Sequence, residues 1–399
     1  MNFFKKLYCR IFQGVFKIAL PILPYRNPNV YYNVKDVCEI IKKQGYSRTL
    51  LVTDKNLRQL GITLKLEQAL KDNDILVALY DKTDVNPTVD NVEEALSLYK
   101  QNNCQCIVAF GGGSPMDCAK IVGARVAYPK KSVSKMKGIL KINKKIPTLI
   151  AIPTTAGTGS ETTVAAVITD SKTHYKYPIN SFPLIPSYAI LDAEVTYSLP
   201  KSLTSTTGID ALTHAVEAYI GRSTTKETRK LSKEACKLIF ENILVSYNNP
   251  NDKDARTNML IAAHKAGIAF TKSYVGYVHA VAHSLGGKYN VPHGLANSVI
   301  LPHVLELYGK KIYKKLYQLA LYCNLANKED SYKVAANKFI EAIKKLNVDM
   351  CIPNHIQGIK DEDISKLAKL ADKEANPLYP VPVLMNAKEL EKIYKLVQK

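Results

Sequence analysis

A chain of 399 residues, 46% of them hydrophobic and 23% charged, is long enough for about two or three domains, each with its own core. The 19 Gly and 19 Pro exclude a collagen-like or low-complexity polymer, and no run of about 20 apolar residues is present to span a bilayer. Lys and Arg number 55 against 35 Asp and Glu, a formal charge of +20, but the lysines are scattered, so a solvated basic surface is expected and no nucleic-acid partner.

The first predicted element lies in residues 1–25. Phe3, Phe4, Leu7, Tyr8, Ile11, Phe12, Val15 and Phe16 recur at helical spacing, Lys5, Lys6, Arg10 and Lys17 lie between them, and Pro21 stops the helix. Two readings stand open. The stripe makes a peripheral membrane contact through residues 1–20, or it packs on the protein's own body or a subunit interface. Basic residues recur beyond the first turn and no small-residue cleavage site follows, which disfavours a signal peptide.

Residues 26–198 alternate short apolar runs with amphipathic stretches. The runs are 49–53 (TLLVT), 75–80 (ILVALY), 106–110 (CIVAF), 148–152 (TLIAI) and 188–191 (YAIL), and helices are expected over 34–44 and 89–101. Continuous apolar strands separated by helices indicate a parallel sheet buried on both faces. From residue 199 to 399 the pattern is helix upon helix. The expected fold is therefore an N-terminal Rossmann-like α/β domain with a parallel sheet, followed by an all-helical domain. The eight cysteines show no CxxC spacing, and free thiols in a reducing cytoplasm are the simplest account; Cys104 and Cys106 are expected on one face of a strand.

Two loops carry phosphate signals. Gly111-Gly112-Gly113-Ser114-Pro115-Met116-Asp117 follows one strand directly and leads into a helix. Pro153-Thr154-Thr155-Ala156-Gly157-Thr158-Gly159-Ser160-Glu161 follows another. After neighbouring parallel strands, both loops face one crevice, where backbone N–H groups and a helix N-terminus receive a phosphate. Asp54, ending the first long strand, suits a ribose hydroxyl or, equally, a helix N-cap.

Metal signals lie in the second half. Asp210 and His214 (DALTH) and His279 and His283 (HAVAH) each stand four apart on a helical stretch, the second expected to end at Gly286-Gly287, and His293 follows in a Pro-His-Gly turn. A carboxylate and imidazoles from two helices and a loop can close on one divalent ion. Spacing alone favours His283 over His293 as a ligand. His174, His264, His303 and His355 lack such partners and read as structural.

Taken together, GGGSPMDCAK at 111–120, IPTTAGTGSE at 152–161, GIDALTHAVEAY at 208–219 and YVHAVAHSLGGKYNVPHG at 277–294 resemble the iron-containing (group III) alcohol dehydrogenase family, within the dehydroquinate synthase-like superfamily. That resemblance implies a dehydroquinate synthase-like fold of two domains. It carries the metal ligands onto Asp210, His214, His279 and His293, and leaves His283 as the catalytic group that orients the substrate or relays its proton. Cofactor contacts fall on Asp54, Asn86, Gly112, Gly113, Ser114, Asp117, Thr154, Thr155, Thr158 and Lys176, the last in a loosely matching segment. Thr271-Lys272-Ser273-Tyr274 stands where the family has small residues and asparagine, and Tyr274 is expected to fill volume near the substrate. The N-terminal segment replaces a short strand common in the family.

The implied activity is hydride transfer between a nicotinamide cofactor and a small alcohol or aldehyde, with one divalent metal, Fe or Zn, as Lewis acid. A carboxylate at Asp54 repels a 2′-phosphate, so NAD(H) is expected over NADP(H). A homo-oligomer, a dimer by analogy, is expected in the cytoplasm. The alternative is a metal- and NAD-using lyase resembling dehydroquinate synthase, which calls for a cationic cluster around the metal to hold a polyanionic substrate.

Overall fold

The computed structural model describes residues 1–173 and 175–399. The chain divides into two compact units, one of residues 24–198 and one that joins residues 1–23 to 199–399. The amphipathic N-terminal segment is thus no separate body; it belongs with the helical unit.

In the α/β unit the strands are β1 (Asn29–Tyr31), β2 (Arg48–Val52), β3 (Leu76–Tyr80), β4 (Cys106–Gly111), β5 (Gly138–Ile139), β6 (Thr148–Pro153), β7 (Ala165–Thr169), β8 (Lys176–Asn180) and β9 (Tyr188–Ile190). Six of them form one sheet in the order β1-β9-β6-β4-β2-β3, parallel throughout. Period-two alternation splits each central strand between two cores. Leu50, Ile107, Ala109, Leu149 and Ala151 face one, and Leu51, Val108, Phe110, Ile150 and Ile152 face the other. Helices Val89–Gln101 and Gly113–Ala127 pack on the first face. The chain runs outward from β2 to β3 and then returns to β4 on the other side of β2. This reversal puts the topological switch point between β2 and β4, with Asp54 following one strand and the triple glycine following the other.

Two features depart from the sequence reading. A small sheet, β5-β8-β7, is interleaved in the chain with β6 and β9 of the main one, with β7 and β8 antiparallel. Its two longer strands alternate, with Ala166, Ile168, Tyr177 and Ile179 buried and Val167 exposed. Cys104 and Cys106 lie on opposite cores, because β4 begins only at Cys106 and its period-two alternation does not extend back to Cys104. All eight cysteines are free thiols, and only Cys351 is exposed.

The helical unit contains Lys201–Ile220, Lys226–Asn248, Lys253–Ser273, Tyr277–Tyr289 and His293–Tyr308, with four further helices to the C-terminus. Lys315 donates to the carbonyls of Tyr219, Ile220 and Gly221, placing a cation on the otherwise unpaired C-terminus of the Lys201–Ile220 helix. The HAVAH helix does not end at Gly286-Gly287. It continues to Tyr289 and closes on Asn290, whose left-handed backbone (φ 54°) donates to the Gly286 carbonyl. His293 is not in a free turn; it is the first residue of the next helix, after Pro292. No described helix is long and apolar enough to cross a membrane.

Candidate metal centre and cofactor loops

Asp210 and His214 project from successive turns of the Lys201–Ile220 helix, His279 from the Tyr277–Tyr289 helix, and His293 from the start of the next. One ligand atom from each of these four lies within 4.8 Å of all the others. His293 Nε2 is 3.5 Å and His279 Nε2 3.9 Å from Asp210 Oδ1, and the rings of His214 and His279 stack at 4.5 Å. Two glycines permit the approach. A Cβ on Gly294 would lie 2.6 Å from the Thr206 carbonyl oxygen, so only glycine lets the His293 helix come so close to the Asp210 helix. A Cβ on Gly276 would lie 2.5 Å from Glu217 Oε1.

Glu217 is a residue that motif reading missed. It lies one turn beyond His214, is 4% exposed, and spends its carboxylate on the next helix. Oε2 accepts from the Gly276 N–H at 2.8 Å and Oε1 from the Val278 N–H at 2.9 Å, which caps that helix with an acid. Oε2 also holds His279 Nδ1 at 2.6 Å. A carboxylate on one ring nitrogen sets the tautomer and turns the other nitrogen to a cation. His279 Nε2 is buried without a hydrogen-bond partner and faces Asp210.

The electrostatics suit ligation. Burial, reinforced by His214, His293 and His283, holds His279 well below the ordinary imidazole range. Burial also lowers His293, to about 4, against the pull of Asp210. Both rings are therefore neutral donors at physiological pH, the form a metal takes. Burial pushes Glu217 up to about 7, against the N–H donors that favour its ionised form. Three imidazoles and a carboxylate, one nitrogen left without a protein partner, fit a divalent cation such as Fe or Zn. Asn297 completes the surroundings, donating from Nδ2 to Asp210 Oδ1 at 2.6 Å.

His283 lies outside the four. Its Nδ1 meets Glu374 Oε1 at 2.6 Å, the same oxygen accepts from the Tyr379 hydroxyl at 2.7 Å, and its ring stacks on His293 at 5.1 Å. Desolvation alone would depress His283, but Glu374, with Asp210 and Glu217 beyond it, leaves its pKa raised. The i,i+4 chelate suggested by HAVAH does not form, because Glu374, from a distant helix, turns the second ring aside. Tyr274, at φ 60°, packs its ring on Phe16 at 5.0 Å and lies 6.3 Å from Tyr379. Of the remaining histidines, His303 lies 3.8 Å from Glu306, His264 is buried, His355 is exposed, and His174 lies outside the described residues.

In the α/β unit the loops after β4 and β6 adjoin. Thr154 N–H donates to the Gly111 carbonyl at 3.1 Å. A Cβ on Gly112 would lie 3.6 Å from Thr155 Oγ1, and one on Gly113 3.4 Å from Thr158 Cγ2. Gly112 is the N-cap of the Gly113–Ala127 helix, so a bare helix N-terminus opens beside the hydroxyls of Thr155 and Thr158, a cradle fitted to an anion. Ser114 Oγ donates to the Val85 carbonyl, which tethers the segment bearing the exposed Asn86 to the same loop.

Asp117 is engaged within the fold. It accepts from Ser160 Oγ at 3.1 Å and the Val167 N–H at 2.9 Å, and so fastens the helix to the second loop. Beneath it lies Lys120, fully buried and also missed by motif reading. Its Nζ donates to Ser160 Oγ and Thr163 Oγ1 at 2.9 Å and to the Ala165 carbonyl at 2.8 Å. Asp54 caps the Lys55–Gln59 helix, Oδ1 accepting from the Leu57 N–H at 3.0 Å, with its second oxygen left for another donor. Lys176 opens β8 and is exposed; no described side-chain hydrogen bond joins it to the two loops.

Two family models match in tandem. That of the iron-containing alcohol dehydrogenases covers residues 30–193, and that of the C-terminal domain of the Fe-containing alcohol dehydrogenase family covers 204–397. A 1,3-propanediol dehydrogenase of Klebsiella pneumoniae is 36% identical over 385 residues, spanning 96% of this chain and 98% of that protein. The crystal structure of a 1,3-propanediol oxidoreductase superposes with a TM-score of 0.89 at 35% identity, covering 93% of this chain and 98% of its own. Sulfoacetaldehyde reductase from Bifidobacterium kashiwanohense, solved with NAD+, has a TM-score of 0.83 at 27% identity and covers 94% and 98% of the two chains.

Proposed function

From the premise that this chain belongs to the iron-containing alcohol dehydrogenase family, we propose that it interconverts a small alcohol and its aldehyde or ketone with NAD(H) at a metal held by Asp210, His214, His279 and His293. The reaction class is that of a metal-dependent oxidoreductase. The three relatives described are dehydrogenases or reductases, which favours this class over the lyase resembling dehydroquinate synthase.

The observation that carries the reading is the convergence of four donor atoms within 4.8 Å, one of them a buried nitrogen with no hydrogen-bond partner among the described residues. When bound, the cation supplies Lewis-acid polarisation of the substrate oxygen and the nicotinamide supplies or accepts the hydride. The chain's residues do the rest. Glu217 holds His279 in one tautomer and one orientation. His283, backed by Glu374 and Tyr379, carries the proton exchanged with the substrate oxygen. Gly112, Gly113, Ser114, Thr154, Thr155 and Thr158 seat the cofactor's phosphates at the helix N-terminus, and Asn86, Asp117 and Lys176 complete its site. Asp54 accepts from the ribose with the oxygen its own helix leaves over, and repels a 2′-phosphate. The enzyme works as a homodimer in the cytoplasm, where eight free thiols are stable.

The test is oxidation of NADH against a panel of short aldehydes by metal-replete protein, with and without prior chelation. Turnover that is abolished by chelation and restored by Fe(II) or Zn(II) supports the reading. Turnover indifferent to chelation, or none with any aldehyde, refutes it.

A further inference from the structure

The Phe3–Ala19 helix has two unlike faces. Its inner face is narrow and anchored. Cys9, Gln13 and Leu20 are buried, Gln13 Nε2 donates to the Tyr379 carbonyl at 2.8 Å, and Arg10 donates to the carbonyls of Val381 at 2.7 Å and Pro382 at 3.0 Å. Lys5 pairs with Asp372 at 3.1 Å. These contacts fix which side of the helix turns outward.

The outer face is apolar and uncovered. Phe4, Leu7, Ile11, Val15, Ile18 and Ile22 follow one another at steps of three or four, and Phe4 and Ile18 are 79% and 80% exposed. Phe3, Tyr8 and Phe12 widen this line, so the exposed apolar surface takes up about half the helix circumference. A partner helix needs a narrower seam, about two positions in seven, whereas a broad arc suits a plane. The helix itself carries charges of one sign only, Lys5 being already paired with Asp372 of the body. Lys6, Arg10 and Lys17 lie along one edge and Lys5 along the other, and no acidic residue precedes Asp36. Two such faces brought together in a second copy would place these cations in one seam, on chains that each carry +20. An anionic plane neutralises them instead.

We infer that residues 3–22 form a membrane-surface helix, prefixed to a catalytic body, that seats its outer face in the interface of an anionic bilayer while its inner face holds the enzyme. Apolar side chains enter the headgroup–acyl boundary and the bordering lysines extend to lipid phosphates.

Co-sedimentation of the full-length protein with vesicles tests this at about 0.15 M salt, where long-range attraction is screened. Binding is expected to vesicles containing phosphatidylglycerol and not to pure phosphatidylcholine. Phe4→Ser with Phe12→Ser keeps every charge and lowers partitioning more than tenfold. Lys6→Gln with Lys17→Gln lowers it about 25-fold, at roughly fivefold per cation near an anionic surface. Both pairs are exposed and leave aldehyde turnover in solution unchanged. Undiminished binding of the Phe4→Ser, Phe12→Ser protein would reduce the effect to the +20 charge and overturn the inference. So would absence of vesicle binding, including the case where that variant instead splits an oligomer and shows the face covered by a second copy.

Discussion

The two units build their functional groups in opposite ways. In the α/β unit the cofactor cradle is local. Gly111 to Ser114, the junction of a strand and a helix, and Thr154 to Thr158, a loop, are contiguous segments at strands of one parallel sheet, and backbone and hydroxyl groups carry the chemistry. In the helical unit the metal cluster is assembled from three helices and oriented from afar. His279 is held by Glu217, which is 62 residues away, and His283 by Glu374, which is 91 residues away. A site of the first kind tolerates the loss of any one distant contact. A site of the second kind is only as good as its supporting carboxylates. Perturbing Glu217 should therefore damage metal binding far more than any equally conservative change damages the cradle.

The largest effect is expected at that carboxylate. Glu217→Gln should weaken metal binding about 10- to 100-fold, measured by competition with a chelator, and leave the NAD(H) dissociation constant unchanged. An unchanged metal affinity would show that His279 needs no distant support and would erase the contrast between the units.

Lys120 departs from this locality in the α/β unit, as does its neighbour Asp117, since it ties the first cradle helix to the segment following the second loop. Lys120→Met removes the shared donor to Ser160 Oγ, Thr163 Oγ1 and the Ala165 carbonyl and takes away the cation beside the buried Asp117, and should cost about 2–3 kcal/mol, seen in chemical denaturation, with weaker NAD(H) binding and normal metal content. Burial lowers the Lys120 ammonium to about 8 from 10.5, against the opposing pull of Asp117 and Glu161. Between those values the unfolded chain binds the additional proton, so this lysine makes stability rise with pH across that window and contributes no slope below it. The wild type should show this rise and Lys120→Met should lack it; identical pH profiles would contradict the assignment.

The smallest effect falls on the cofactor's ribose. Asp54→Gly should move the ratio of kcat/KM values about tenfold towards NADP(H) by removing a like charge from the 2′-phosphate. It should cost only a few tenths of a kcal/mol as a helix cap, because glycine also serves at that position. A wild-type preference for NADPH would assign the selection to nearby cations such as Lys55.

What could be read from the sequence follows the same division. The strand–glycine–helix wording located both loops, and apolar runs located β2, β3, β4, β6 and β9 to within a residue or two, because those signals are local. Asp210 with His214 was visible as a helical pair. The spacing of His279 and His283 pointed to the wrong chelate geometry, and nothing near His283 in the sequence announces that Glu374 holds it away. Glu374 and Tyr379 lacked any motif, and Glu217 and Lys120 stood inside motifs without a sign that the first holds His279 or that the second buries its charge. At the N-terminus both readings of the stripe captured part of the helix. Side chains at Cys9, Gln13 and Leu20 pack inward, while the larger apolar arc remains outside. Helical periodicity reveals that a helix has faces, but tertiary packing decides which one is covered.

Metal content across one set of variants tests the central claim most directly. Elemental analysis of His279→Ala, His283→Ala and His293→Ala, purified alongside the wild type, separates the candidate ligands from their neighbour. The account predicts that His279→Ala and His293→Ala lose metal and turnover together, while His283→Ala keeps most of its metal and loses turnover. Metal lost with His283 and retained without His293 would contradict it.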